Sequence, residues 1–223
     1  MPALLPKGVA MPVKHQTVKM RIKWDAAGDV DGFIFGTDKD GKTVLFPACG
    51  HPLEAQNGGK APAISGYFIA AKKGGVYPND FGCANNPFNW VVPAEDARDG
   101  TAAGWDEESV IFLDKVPPEI ARLDVVVAIY PQQEDGTPNP LTFAQVENVA
   151  VELADENDKT IVAANAEFTN PAMWGLQGIW FCSLTRTATA WEFKNVMFAD
   201  AAKFGYYNDF QDMVRATIPD HNV

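Results

Sequence analysis

The sequence predicts a mostly β protein, a two-sheet β-sandwich with long loops and a C-terminal amphipathic helix. Three observations carry this. Short apolar segments with turn residues between them recur along the chain, the pattern of a sandwich. One segment, Leu123 to Tyr130 (LDVVVAIY), is a continuous apolar run of the kind found in a strand covered on both faces. Only Ala199 to Arg215 carries apolar residues at helical spacing, with Phe204, Tyr207, Phe210 and Val214 three and four residues apart.

Taken in order, the Pro-rich residues 1–11 form an entry arm or a first short strand. Thr17 to Trp24 alternates cleanly: Val18, Met20, Ile22 and Trp24 share one face, and Lys19, Arg21 and Lys23 the other. An acidic glycine turn, DAAGDVDG, leads into the strand Gly32 to Gly36. Asp38-Lys39-Asp40-Gly41 is a hairpin turn that returns through Lys42 to Phe46. Residues 48–62 are rich in Gly, Pro, Asn and Ala and read as a long irregular connection. Tyr67 to Ala71 is a strand, and Pro87 to Val92 brings two aromatics up to an acidic loop. Beyond that loop the expected strands are Ser109 to Leu113, Leu123 to Tyr130, Val146 to Leu153, Thr160 to Glu167, Gly178 to Thr185 and Ala190 to Met197. One domain over residues 1–223 accommodates all of this, with an insertion at roughly 38–73 and the helix at roughly 199–215.

The net charge of −11 argues against nucleic acid and anionic membrane surfaces, and fits a cation-binding protein. No apolar run approaches the ~20 residues of a membrane span. The N-terminus lacks an apolar segment after a basic start, so no signal peptide is expected. Three widely separated cysteines, Cys49, Cys83 and Cys182, fit a reducing compartment rather than a disulfide framework, and the expected location is cytoplasmic.

The chemistry concentrates in Glu95 to Val110, EDARDGTAAGWDEESV. Glu95, Asp96, Asp99, Asp106 and Glu107 fall within it, and Gly100 and Gly104 separate the acid clusters. Carboxylates folded this close repel one another unless a cation sits among them. Ca²⁺ takes six to eight oxygens from carboxylates and carbonyls. By spacing alone, a solvated acidic loop and a cation site are both open. The glycines would supply φ > 0 turns that expose carbonyls.

Four blocks resemble the TerD family of tellurite-resistance and stress proteins. They are Trp24-Asp25-Ala26, Asp80-Phe81 with Asn85, the loop Asp96-x-x-Asp99-Gly100 with Gly104-x-Asp106-Glu107, and Thr142-Phe143-Ala144-Gln145-Val146 with Asn148. Together they span roughly residues 20–196. The resemblance implies a β-sandwich that binds Ca²⁺ through loop carboxylates at one end. It also implies a bacterial stress role in the cytoplasm or at the inner face of the membrane, with protein partners and no established catalysis. The metal ligands it implies are Asp29, Asp31, Asp80, Asp96, Asp99, Asp106 and Glu107. Two segments compete for the family's Asp-x-Asp before its second strand: Asp29-Val30-Asp31, and the acid-free stretch before Tyr67. Trp105 stands where the family often has an acid.

Two other classes stay open on the residues: a hydrolase using the carboxylates as acid and base with the metal, and a structural sandwich without an ion. Gly-x-Ser-x-Gly, a His-rich metal set and a phosphate-cradling glycine loop are all absent from the sequence, which favours binding over catalysis. Trp24, Trp180 and Trp191 are expected in the core, Trp90 and Trp105 against the end of the sandwich, and Asn148 as a structural hydrogen-bonder.

Overall fold

A computed structural model describes residues 6–25, 28–41, 43–45, 90–92, 97, 100–101, 104–133, 135–163, 171–207 and 213. Eleven strands are assigned: β1 (Ala10–Val13), β2 (Thr17–Asp25), β3 (Val30–Asp38), β4 (Thr43–Leu45), β5 (Val91–Val92), β6 (Glu107–Phe112), β7 (Ile120–Ile129), β8 (Glu147–Asp155), β9 (Thr160–Ala163), β10 (Gly178–Arg186) and β11 (Trp191–Phe198). One sheet runs β1-β11-β10-β7-β3-β4 and the other β5-β6-β2-β8-β9. Every pairing between strands is antiparallel. The long strands are interior, and the edges are short: β4 has three residues, β5 two, and β1 and β9 four each.

The alternation of β2 works as expected. Val18, Met20, Ile22 and Trp24 are all buried between the sheets. Opposite them, β3 closes at Gly32, where an added Cβ would lie 2.3 Å from Met20 Cε and 2.9 Å from Ile22 Cδ1. A larger residue there would have to push the ends of the Met20 and Ile22 side chains aside. The other face of β2 is not simply wet. Arg21 is buried and ion-paired with Glu108 at 2.6 Å, Glu152 at 3.2 Å and Asp158, while Lys19 also reaches Asp158. Burial works against the Arg21 charge, but these bonds outweigh it and hold its pKa above the ordinary value.

Strand β7 is the doubly covered strand. Leu123 through Ile129 are buried without exception, with β3 on one side and β10 on the other. Its buried carboxylate, Asp124, is the polar centre of the sheet. Ser183 Oγ donates to Asp124 Oδ1 at 2.6 Å; Thr37 Oγ1 at 3.2 Å and Arg122 Nε at 2.9 Å donate to Oδ2. These bonds tie three adjacent strands together. The hairpin at Asp38–Gly41 forms as the sequence predicts: Gly41 N–H donates to Asp38 O, and Gly41 takes φ +81°.

The predicted C-terminal helix is interrupted: Ala201–Phe204 is helical and capped at its start by Asp200, the backbone leaves the helix at 205–207, and Met213 is helical again, while 208–212 and 214–215 lie outside the described residues. The physical reason is Gln177. Its backbone N–H takes the Phe204 carbonyl, and its side-chain oxygen accepts from Tyr207 N–H, so a tertiary contact replaces the next helical turn. Phe204 and Tyr207 thereby settle over Gly178 of β10. The expected strand at 67–71, the connection at 48–62 and the rest of the predicted insertion beyond 45 lie outside the described residues. Among the described residues no helix is long and apolar enough to cross a membrane.

Burial pushes the Asp124 carboxyl up, against the Arg122 charge and the bonds from Ser183 and Thr37. A native pKa above the unfolded value favours the protonated fold. The stability this group contributes is therefore fully present below the ordinary value of 3.8 and is lost as pH rises through the raised native value. We expect the difference in urea-unfolding free energy between the parent and Asp124→Asn to shrink from about pH 4 toward neutrality. A difference independent of pH would refute the assignment.

Candidate functional site

The β2–β3 connection, the approach to β6 and the β7–β8 connection meet at one end of the sandwich, and it is there that the acidic residues collect. Two strand starts place them. Asp29 immediately precedes β3 and its carbonyl accepts from Tyr130 N–H at 2.8 Å, while Asp31 lies within β3 opposite Ala128. Asp106 precedes β6, and Glu107 opens it opposite Ile22. Strand β6 begins two residues earlier than the apolar pattern indicates, because Glu107 pairs into the sheet and points inward with Ser109 and Ile111.

Asp106 and Glu107 each hold a backbone N–H of a neighbouring strand. Asp106 N–H donates to Ile22 O at 3.0 Å, and its Oδ2 accepts from Trp24 N–H at 2.9 Å. Glu107, only 2% exposed, accepts from Gly32 N–H at 3.3 Å and so reaches from one sheet to β3 of the other. Asp106 Oδ1 is buried and has no hydrogen-bond partner among the described residues. Such an oxygen is costly unless something positive faces it.

The two glycines act differently from one another. Gly104 has φ +118° with open space around it, a left-handed turn that favours glycine, as expected. Gly100 is needed for close approach instead: a Cβ there would lie 2.3 Å from Trp24 O and 2.6 Å from Trp24 Cδ1. The loop thus packs directly on Trp24, whose indole Nε1 donates to Gly28 O at 2.7 Å. Trp24 is the fixed post around which the acidic segment and the β2–β3 connection are arranged. Trp90 is fully buried and Trp105 partly so.

The sequence reading did not anticipate how Asp25 and Asn148 join. Asn148 has φ +53° and donates through Nδ2 to Asp25 Oδ2 at 2.5 Å, closing the start of β8 onto the end of β2. Asparagine tolerates this backbone region, which is the only signal the sequence offered. Gln145 accepts from Thr142 N–H at 2.9 Å through its side-chain oxygen, and so shapes its own turn. Gln177 was also missed. Its side chain donates to Asn139 O and Leu141 O, each at 2.7 Å, and anchors the β7–β8 connection.

Of the seven ligands expected, the structure brings Asp29, Asp31, Asp106 and Glu107 to the same end. Asp80, Asp96 and Asp99 lie outside the described residues. Among the described residues alone, no three His, Cys, Asp or Glu side chains are grouped to hold a metal ion. The donor chemistry is nonetheless that of a hard cation: carboxylate and carbonyl oxygen, with a buried oxygen of Asp106 turned to no hydrogen-bond donor.

Comparison with known proteins places this geometry. The profile of the TerD domain family matches residues 77–214, well over half of the chain. The match takes in Asp80, Asp96, Asp99, Asp106 and Glu107 and leaves Asp29 and Asp31 outside. Among solved structures, one similar fold is a homologue of the telluride resistance protein TerD from Streptomyces coelicolor A3(2), at 21% identity and TM-score 0.56, covering 92% of this chain and 99% of that one. Another is a protein of unknown function, at 18% identity and TM-score 0.52, covering 84% of this chain and 94% of that one. No curated protein matches.

Because the Gly100 contact is with backbone, which cannot swing aside, Gly100→Ala is expected to cost about 1–3 kcal/mol in denaturant unfolding, the usual size of overpacking. Ala at Gly104 meets open space, so its cost should come from φ alone. Equal tolerance of Ala at Gly100 and at an exposed loop position would contradict the contact.

Proposed function

Since this chain belongs to the TerD family, we propose that it is a calcium-binding stress-response protein of the tellurite-resistance type. In this reading the carboxylates at one end of the sandwich close over Ca²⁺ and order the loops that meet a protein partner. One observation supports it above the rest: Asp106 is fixed by Trp24 N–H through one oxygen, while its other oxygen is buried with no hydrogen-bond partner among the described residues. A cation supplied there would satisfy that oxygen and relieve the repulsion of a segment carrying five acids from Glu95 to Glu107.

The ligand set is Asp80, Asp96, Asp99, Asp106 and Glu107, with Asp29 and Asp31 contributed from the start of β3. Glu107 holds the two sheets in register at the site, and Gly100 and Gly104 let the loop turn back over Trp24. The ion would lock this arrangement rather than react. The role is binding, not catalysis, and the setting is the cytoplasm or the inner face of the membrane. The partner surface is the same end of the molecule, where Trp174 and Tyr206 are the large aromatics left about half exposed. Thr142 Oγ1 donates to Trp174 O at 2.5 Å, so the backbone carrying that indole is tied to the same loops.

The test is a thermal melt of chelator-treated protein with Ca²⁺, and with Mg²⁺ as control. At a hundredfold excess over Kd, binding adds about 2.7 kcal/mol to stability, worth a rise of several degrees in a protein this size. Asp106→Asn keeps the acceptor for Trp24 N–H and removes the charge. It should fold like the parent and lose most of the Ca²⁺-dependent rise. An unmoved melt, or an unchanged response in Asp106→Asn, would overturn the proposal.

A further inference from the structure

The opposite end of the sandwich carries a second concave feature. There the β1–β2 turn, the β6–β7 turn and the β10–β11 hairpin enclose a cleft of about 560 Å³, within the size range of small-molecule sites. Lys14, His15, Leu113, Asp114, Arg186 and Trp191 are among the residues that line it. Two cations, Lys14 and Arg186, stand against one lining carboxylate, Asp114, in a chain of net charge −11.

Arg186 sets the character of the cleft. Nε donates to Ile120 O at 3.0 Å, and Nη2 donates to Val116 O at 2.8 Å and Pro117 O at 3.0 Å. The guanidinium lies over the Trp191 ring, 4.4 Å from its centroid. These contacts fix the plane of the group with neutral partners only. Arg21 has three carboxylates and Arg122 has Asp124, but none of the described carboxylates lies within ion-pair distance of Arg186. Glu119 acts on it only through space, and burial pulls its pKa below the usual arginine value. Its Nη1 makes no hydrogen bond among the described residues. A fixed, part-buried guanidinium without a counter-ion is a preorganised anion receptor.

The surrounding groups refine the reading. His15 is held by Glu156, at 3.1 Å from Nδ1, with Asp155 at 3.9 Å from Nε2. Lys14 is exposed, so its ammonium can turn toward a ligand. Trp191 Nε1 is already committed to Leu113 O at 3.1 Å, so the largely buried Trp191 and Leu113 close the base of the cleft without offering an indole donor. A smaller cleft of about 340 Å³ on the other side of Arg186 is lined by Asp38, Asp40 and Glu119 and would repel an anion.

We propose that the larger cleft is a binding site for a small molecule carrying a carboxylate or phosphate group on an apolar body, with the anion between Arg186 and Lys14 and the apolar part against Leu113 and Trp191. This site is separate from the carboxylate end and works without a cation.

The test titrates the full chain, in chelator, with phenyl phosphate, benzoate and, as the neutral control, phenol. The readouts are the NMR signals of the Arg186 side chain and the Trp191 indole N–H. One or both anions should shift them saturably while phenol does not, and the tighter of the two identifies the anion class. Lys14→Glu alters only an exposed side chain and should weaken binding about fivefold or more, the scale of one exposed charge contact. Unmoved signals, an equal response to phenol, or full affinity in Lys14→Glu would overturn the proposal. Arg186→Lys, which loses the fork and the fit to the Trp191 ring, should abolish the shift of the indole signal even where the variant stays folded.

Discussion

The carboxylate of Glu107 is the constraint on which the arrangement at the ligand end depends. It starts β6 in one sheet, points inward, and takes the N–H of Gly32 in the first turn of β3 in the other. The neighbouring Asp106 performs the same task for Trp24. Two consecutive acids therefore fix where β2 ends and where β3 begins. A buried carboxylate is expensive to desolvate, and it persists only where hydrogen bonds or positive charge compensate it. Here part of that compensation comes from the Gly32 N–H of the neighbouring sheet. The same residues that locate the strands are thus the ones that concentrate negative charge at this end.

Much of the fold was legible because its signals are local. The alternation of Val18, Met20, Ile22 and Trp24, the continuous run from Leu123 and the Asp-Gly turn at Asp40 each describe a segment that behaves the same in any context. What was not legible depends on distant partners. The helix beginning at Ala201 has apolar spacing that continues past Gly205, but Gln177, far away in sequence, captures Phe204 O and Tyr207 N–H and diverts the chain. Asp124 looks like a flaw in an apolar run until Thr37 and Ser183 arrive from the two neighbouring strands.

The candidate site divides along the same line. That acids and glycines alternate in the central loop could be read from the sequence. That Gly100 is needed for its closeness to Trp24, and Gly104 for its backbone angle, could not, because the first reason lies in a residue of another strand. Asp25 and Asn148 show the same thing: each stands in a block that could be read from the sequence, but the bond between them appears only when β2 and β8 align.

The short edge strands have a consequence for how this protein behaves at high concentration. A long, flat, exposed edge is a template on which further copies add strand by strand. Here the nine- and ten-residue strands β2, β3, β7, β8 and β10 all lie inside their sheets. The edges are two to four residues long among the described strands, and β1 carries Pro12, which has no N–H to offer a newcomer. Among the described residues, the edges open to an added strand are therefore short, which limits the backbone on which a second copy could pair.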